Sequence, residues 1–263
     1  MTVRWLAEAK DEYGTAVRVG RDGDELVAEW IGLARLVVGR DGQGARFTAE
    51  PDAAPADIAK IERGAVPLFV RHLEGKLGLH GSAVAYEGRA ALFLGASGQG
   101  KSTLAAAMCS HAGAALVADD AVAIDHAGDR WLAVPLEREH WLDAPARGAL
   151  GLHTDVAAKT PSLAVARAEA PVDIALVAVL AFADVDRPRL VPLGAMEAIA
   201  SLIPLVVRFV VDEPDVQRRE LDLLADFVAR VPTVRLERPR GFLHLAATAI
   251  AVADVLRHGA PRS

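Results

Sequence analysis

The sequence predicts an α/β fold: a mixed sheet flanked by helices, preceded by a small N-terminal antiparallel β meander. Three observations carry this. The 263-residue chain is 52% apolar and 24% charged, a globular balance. Residues 14–50 alternate short β-prone runs with glycine turns, whereas later β-prone runs alternate with helical patterns. Between them lies a glycine-rich strand-to-helix junction at 95–102. The length suits one main domain with an appendage, placed at 55–263 and 1–54.

Taken in order, Thr15–Val19, Leu26–Trp30, Arg35–Val38 and Ala45–Thr48 read as strands, with turns at Arg21–Asp24 and Arg40–Gln43. After the turn at 51–56, Ile58, Ile61, Val66, Phe69, Val70 and Leu73 recur at helical spacing, which predicts a helix over about 55–77 ended by Gly78. His80–Tyr86 and Arg89–Leu94 are β-rich and joined by Glu87-Gly88, a hairpin signal. A helix should run from Lys101 to about Ala112, with Gly113 as its cap. Ala115–Ile124, Trp131–Val134, Val172–Phe182 and Val231–Glu237 read as further strands. Gly194–Val207, Asp215–Arg230 and Phe242–Arg257 read as helices. Pro135–Pro171 reads as irregular and is the natural place for a substrate-binding or lid region, where Trp131, Trp141, Arg138 and Arg147 could meet a partner.

Composition narrows the function. The net charge is -6 and no basic stripe stands out, so a nucleic-acid partner is not expected. Cys109 is the only cysteine, which rules out an intramolecular disulfide. Met1–Asp11 carries no apolar signal core, and the longest apolar runs, Ile174–Ala183 and Ala198–Val211, are too short or too interrupted to span a bilayer. A cytoplasmic protein is expected.

Gly95-Ala96-Ser97-Gly98-Gln99-Gly100-Lys101-Ser102 matches G-x-x-x-x-G-K-[ST], followed by Thr103. Glycines let the backbone curl so that successive N–H groups face phosphate oxygens, and the following helix turns its positive end to the same anion. Lys101 would reach the β- and γ-phosphates of ATP, and the Ser102 hydroxyl would join a Mg²⁺ shell. Only 17 residues separate Lys101 from Asp119, room for one helix and a turn. The strand Ala115–Ala118 should therefore lie beside the strand before the loop, with Asp119 at its C-terminal end; Asp120 points the other way if the strand continues, and both acids can serve if it ends there. One acid could then serve the metal and the other act as general base. If Tyr86 pairs with Arg89, His80 stands opposite Gly95 and flanks the loop, able to contact phosphate or tune proton transfer. Cys109 and the other seven histidines read as core or surface residues.

The loop, the following Leu116-Val117-Ala118-Asp119-Asp120 and the preceding His80 resemble the catalytic domain of HPr kinase/phosphorylase, a phosphoenolpyruvate carboxykinase-like P-loop kinase domain. The resemblance covers about residues 79–125. It implies that Lys101 and Ser102 bind nucleotide and metal, that Asp119 helps hold Mg²⁺, and that Asp120 is general base toward a seryl hydroxyl of a protein or peptide. That family is hexameric, which leaves a homo-oligomer open. Downstream the chain departs from the family: Arg147-Gly148 loosely matches its Arg-Gly, but the glutamate position falls on Pro145. The alternative is a non-catalytic ATP-binding regulatory or scaffold protein. The sequence speaks against a mechanical or switch NTPase: without any asparagine, a guanine-reading Asn-Lys-x-Asp motif is impossible.

Overall fold

The computed structural model describes residues 3–10, 15–136, 139–155, 160–164, 166–209 and 214–260. Arg138 and the end of the apolar run at 210–211 lie outside the described residues. The chain forms two compact units, Met1–Gly78 with Val207–Leu221, and Leu79–Val206 with Asp222–Ser263.

In the first unit, β1 (Arg4–Lys10), β2 (Ala16–Asp22), β3 (Glu25–Trp30), β4 (Ala34–Gly39) and β5 (Arg46–Ala49) pair in chain order as an antiparallel meander. Alternation puts Val19, Leu26, Ala28, Trp30, Leu36 and Val38 into one core. The neighbouring register positions are polar: Arg18 pairs with Glu29 and donates to its carboxylate at 3.0–3.1 Å. The sequence reading missed β1, an exposed edge strand without clear alternation. The helical stretch over 55–77 is α1 (Pro55–Lys60), a π-helical turn (Ile61–Ala65) and α2 (Val66–Leu73). Ile58, Ile61, Val66, Phe69, Val70 and Leu73 pack on the meander, and fully burying Phe69 contributes about 2–3 kcal/mol. This packing joins 55–78 to the first compact unit.

The second unit contains β6 (Leu77–Tyr86), β7 (Arg89–Leu94), α3 (Lys101–Ala107), β8 (Ala115–Ala118), β9 (Ala121–Ala127), β10 (Arg130–Val134), β11 (Glu139–Leu142), α4 (Ala144–Ala149), β12 (Thr160–Leu163), β13 (Val172–Phe182), β14 (Arg189–Pro192), α5 (Ala195–Leu202), the end of α6 (Pro214–Arg230), β15 (Thr233–Arg238) and α7 (Leu245–His258). Its mixed sheet runs β10-β9-β6-β7-β13-β15-β14, with β8 also paired to β6. Strands β7, β13 and β15 are parallel, whereas β6 is antiparallel to β7 and β8 is antiparallel to β6. The C-terminal ends of β7, β8, β13 and β15 therefore share one sheet edge with the start of β6. Alanine-rich faces of α3 and α7 pack on Phe93, Leu176, Ala178, Leu180, Val234 and Leu236, which is how a core with few aromatics closes. No helix among the described residues is long and apolar enough to cross a membrane.

Three sequence expectations change here. Strand β8 lies beside β6, not beside β7, because the β6–β7 hairpin fills one side of β7 and β13 takes the other. The strand over 115–124 breaks at Asp119-Asp120 into β8 and β9. The segment 135–171, read as irregular, holds the β11–β12 ribbon and α4.

The hairpin register follows the sequence. Tyr86 pairs with Arg89 and Gly81 with Leu94, through Glu87 and Gly88, both at positive φ. The strand is tight at Gly81, where a Cβ would stand 2.3 Å from Leu94 Cδ2 and 2.6 Å from the Phe93 carbonyl oxygen. Gly81→Ala must push the two strands apart, and we expect about 1–3 kcal/mol of destabilisation in chemical unfolding.

Candidate functional site

The glycine-rich loop joins β7 to α3 at the shared sheet edge. Gly95, Gly98 and Gly100 have φ of 144°, 79° and 72°, values that favour glycine and let six residues turn the chain from strand into helix. Ala96, Ser97 and Gly98 are exposed, Gln99 is half-buried, and the Gln99 amide donates to the Ala96 carbonyl at 3.2 Å. Lys101 opens α3 yet is only 9% exposed. Its Nζ folds back and donates to the carbonyls of Gly95 (3.0 Å) and Ala96 (3.2 Å). The ammonium is thus held inside the curl of the loop. Ser102 and Thr103 follow, half-buried on the first turn.

The two aspartates occupy opposite environments. Asp119 is fully buried. Its Oδ1 accepts from Ser82 Oγ at 2.5 Å and from the Asp120 amide at 3.1 Å, and its Oδ2 accepts from the Trp141 amide at 2.8 Å. Asp120 takes a left-handed φ of 80°, and its carbonyl accepts from the Gly81 amide at 3.0 Å. Its side chain is 27% exposed, with Oδ1 3.8 Å from His80 Nδ1. Such strain in a non-glycine residue persists only where neighbours over-determine it. The last pair of the hairpin ladder is Gly81–Leu94, so one step further brings His80 level with Gly95. Strand β6 intervenes between β7 and β8, which sets Asp119 two strands from the loop, roughly 10 Å across the sheet. His80 and Asp120 come together; Asp119 turns into the protein.

The sequence reading missed Arg238, at the end of β15. It is 6% exposed, donates from Nη2 to the Gln99 carbonyl, and lies 4.5 Å over the Phe182 ring. Burial lowers its pKa, and its buried Nε has no hydrogen-bond partner. A Cβ on Gly100 would meet Nη2 at 2.9 Å, so a side chain there would have to displace the arginine head. The available signal was an arginine ending a strand that runs parallel to β7, the edge where open α/β sheets bind ligands. Arg238→Ala removes a charged donor from the loop; we expect exchange of the 96–100 amides to speed up about tenfold or more.

Other candidates have structural places. Burial, with the Asp119 charge second, pushes the Cys109 thiol up to about 12, which makes it a core residue and a poor nucleophile. Burial also lowers the pKa of His140, keeping a neutral imidazole beside Asp119. Trp131 is buried edge-on against Phe227 at 5.3 Å. Arg147 donates from Nε to the His153 carbonyl. Among the described residues no three His, Cys, Asp or Glu side chains cluster as a metal cage. A divalent ion here would need ligand phosphates for most of its shell, the usual habit of Mg²⁺.

No family model matches the chain, and no curated protein does. Among solved structures it is similar to the HPr(Ser) kinase/phosphatase from Coxiella burnetii, with a TM-score of 0.37 and 13% identity over 68% of this chain and 97% of that one.

Proposed function

We propose that the protein is an ATP-dependent phosphotransferase that moves the γ-phosphoryl group to a serine hydroxyl of a protein or peptide. The observation that carries this reading is one sheet edge that holds both a glycine loop curled around a buried lysine and a partly exposed, strained aspartate paired with a histidine. Loop residues 95–100 act as the P-loop: its amides hold the β- and γ-phosphates, and Lys101 exchanges the Gly95 and Ala96 carbonyls for phosphate oxygens. The Ser102 hydroxyl would hold Mg²⁺ together with those oxygens, and the ion would screen charge developing on the transferred group. Asp120 is the general base. It takes the proton from the seryl hydroxyl as that oxygen attacks the γ-phosphorus, and the bond to the β-phosphate oxygen breaks to release ADP. His80 orients the Asp120 carboxylate. Arg238 fixes the loop through the Gln99 carbonyl.

The test is direct. The purified chain is incubated with ATP labelled in the γ position, Mg²⁺ and a library of seryl peptides. Label on serine is the expected result. Binding of Mg·ATP without transfer to any peptide or protein partner would instead support the non-catalytic ATP-binding scaffold.

A further inference from the structure

We propose that Asp119 is a positioning residue, held by Ser82, that sets the turn presenting Asp120 to His80. It is not an ion ligand. The inference rests on the reading above for what Asp120 does.

Three donors from three places converge on this carboxylate: the Ser82 hydroxyl on β6, the Asp120 amide in the turn, and the Trp141 amide on β11. A carboxylate offers about four acceptor sites, so three are taken, and full burial leaves no open face for a hydrated ion. Ser82 is itself fully buried, so its hydroxyl has no water to turn to. Around Asp120 the grip is complete at the backbone: its N–H is bound to Asp119 and its C=O accepts from Gly81. Holding both ends of one residue stabilises a φ of 80° that an aspartate otherwise adopts at a cost. The side chain of Asp120 is then left half-open toward His80. The two acids divide their labour differently from the sequence expectation: one holds the turn and the other faces the reaction.

Ser82→Ala and Asp119→Asn test this against wild type. Amide exchange is followed at 119–121 and 139–142. It should quicken about tenfold at Asp120 and Trp141 in both variants, the effect of losing one charge-assisted bond. Mg·ATP binding is titrated over Mg²⁺ concentration, and γ-phosphoryl turnover is measured at saturating ATP. The Mg²⁺ midpoint and the KM for ATP should stay at wild-type values while kcat falls tenfold or more. A higher Mg²⁺ midpoint in Asp119→Asn alone would make Asp119 an ion ligand and overturn the proposal. Unchanged exchange in Ser82→Ala would also overturn it. If wild type binds no Mg·ATP, the phosphotransferase reading fails, while the exchange data still decide whether Ser82 and Asp119 hold the turn. Should Asp119→Asn not fold, Ser82→Ala, which removes a single hydroxyl, carries the exchange and kcat readouts, and Asp119→Glu carries the Mg²⁺ midpoint, which stays at the wild-type value if Asp119 holds no ion.

Discussion

Lys101→Ala should weaken Mg·ATP binding about 100-fold or more in a calorimetric titration, the loss of a buried charged donor from a phosphate site. Lys101 is pinned inside the loop by two carbonyls of that loop. Pinning keeps the ammonium inside the loop, one exchange of acceptors away from the phosphate oxygens. Truncation also strips Gly95 and Ala96 of a donor, so part of the loss could arise from a loosened loop. Lys101→Arg separates the two effects. It keeps the charge but not the compact ammonium, and the bulkier planar head should restore loop protection in exchange without restoring affinity. Binding by Lys101→Ala at wild-type strength would remove the P-loop from the proposed function.

Asp120→Asn should leave Mg·ATP affinity near wild type and lower transfer to serine by about 10²–10⁴-fold, the usual contribution of a general base. Asparagine suits this test because it tolerates left-handed φ at least as well as aspartate. The turn at φ 80° and its bond to Gly81 therefore survive, and only the proton acceptor is lost. Retained transfer would free Asp120 of the catalytic role. Lost affinity would point to a contact between Asp120 and the nucleotide or its ion.

Features set by local forces were legible in the chain. Glycines at 95, 98 and 100 prescribe a curled strand-to-helix turn, because few other residues adopt those dihedrals. Glu87-Gly88 fixes the hairpin turn, and the turn fixes the register from Tyr86–Arg89 to Gly81–Leu94. Helical patterning marked the whole stretch 55–73, α6 and α7 to within a few residues, but not the π-helical turn that divides the first of them. The candidates Lys101, His80 and Asp120 were legible for the same reason: each sits beside a local signal.

Which elements become neighbours was not legible there. Nothing between Lys101 and Asp119 states which strand β8 will join, because sheet order is set by non-local pairing; β8 joined β6. That one placement lets Ser82 and the Trp141 amide reach Asp119 and buries its carboxylate, which no local signal states. Arg238 reaches Gln99 across 139 residues of chain, through the parallel stacking of β7, β13 and β15. The first unit shows the same limit. The helical pattern over 55–73 was plain, but its apolar stripe could have faced either sheet, and packing against the meander settled which. Periodicity says that a face will be buried; the partner that buries it is a property of the whole chain.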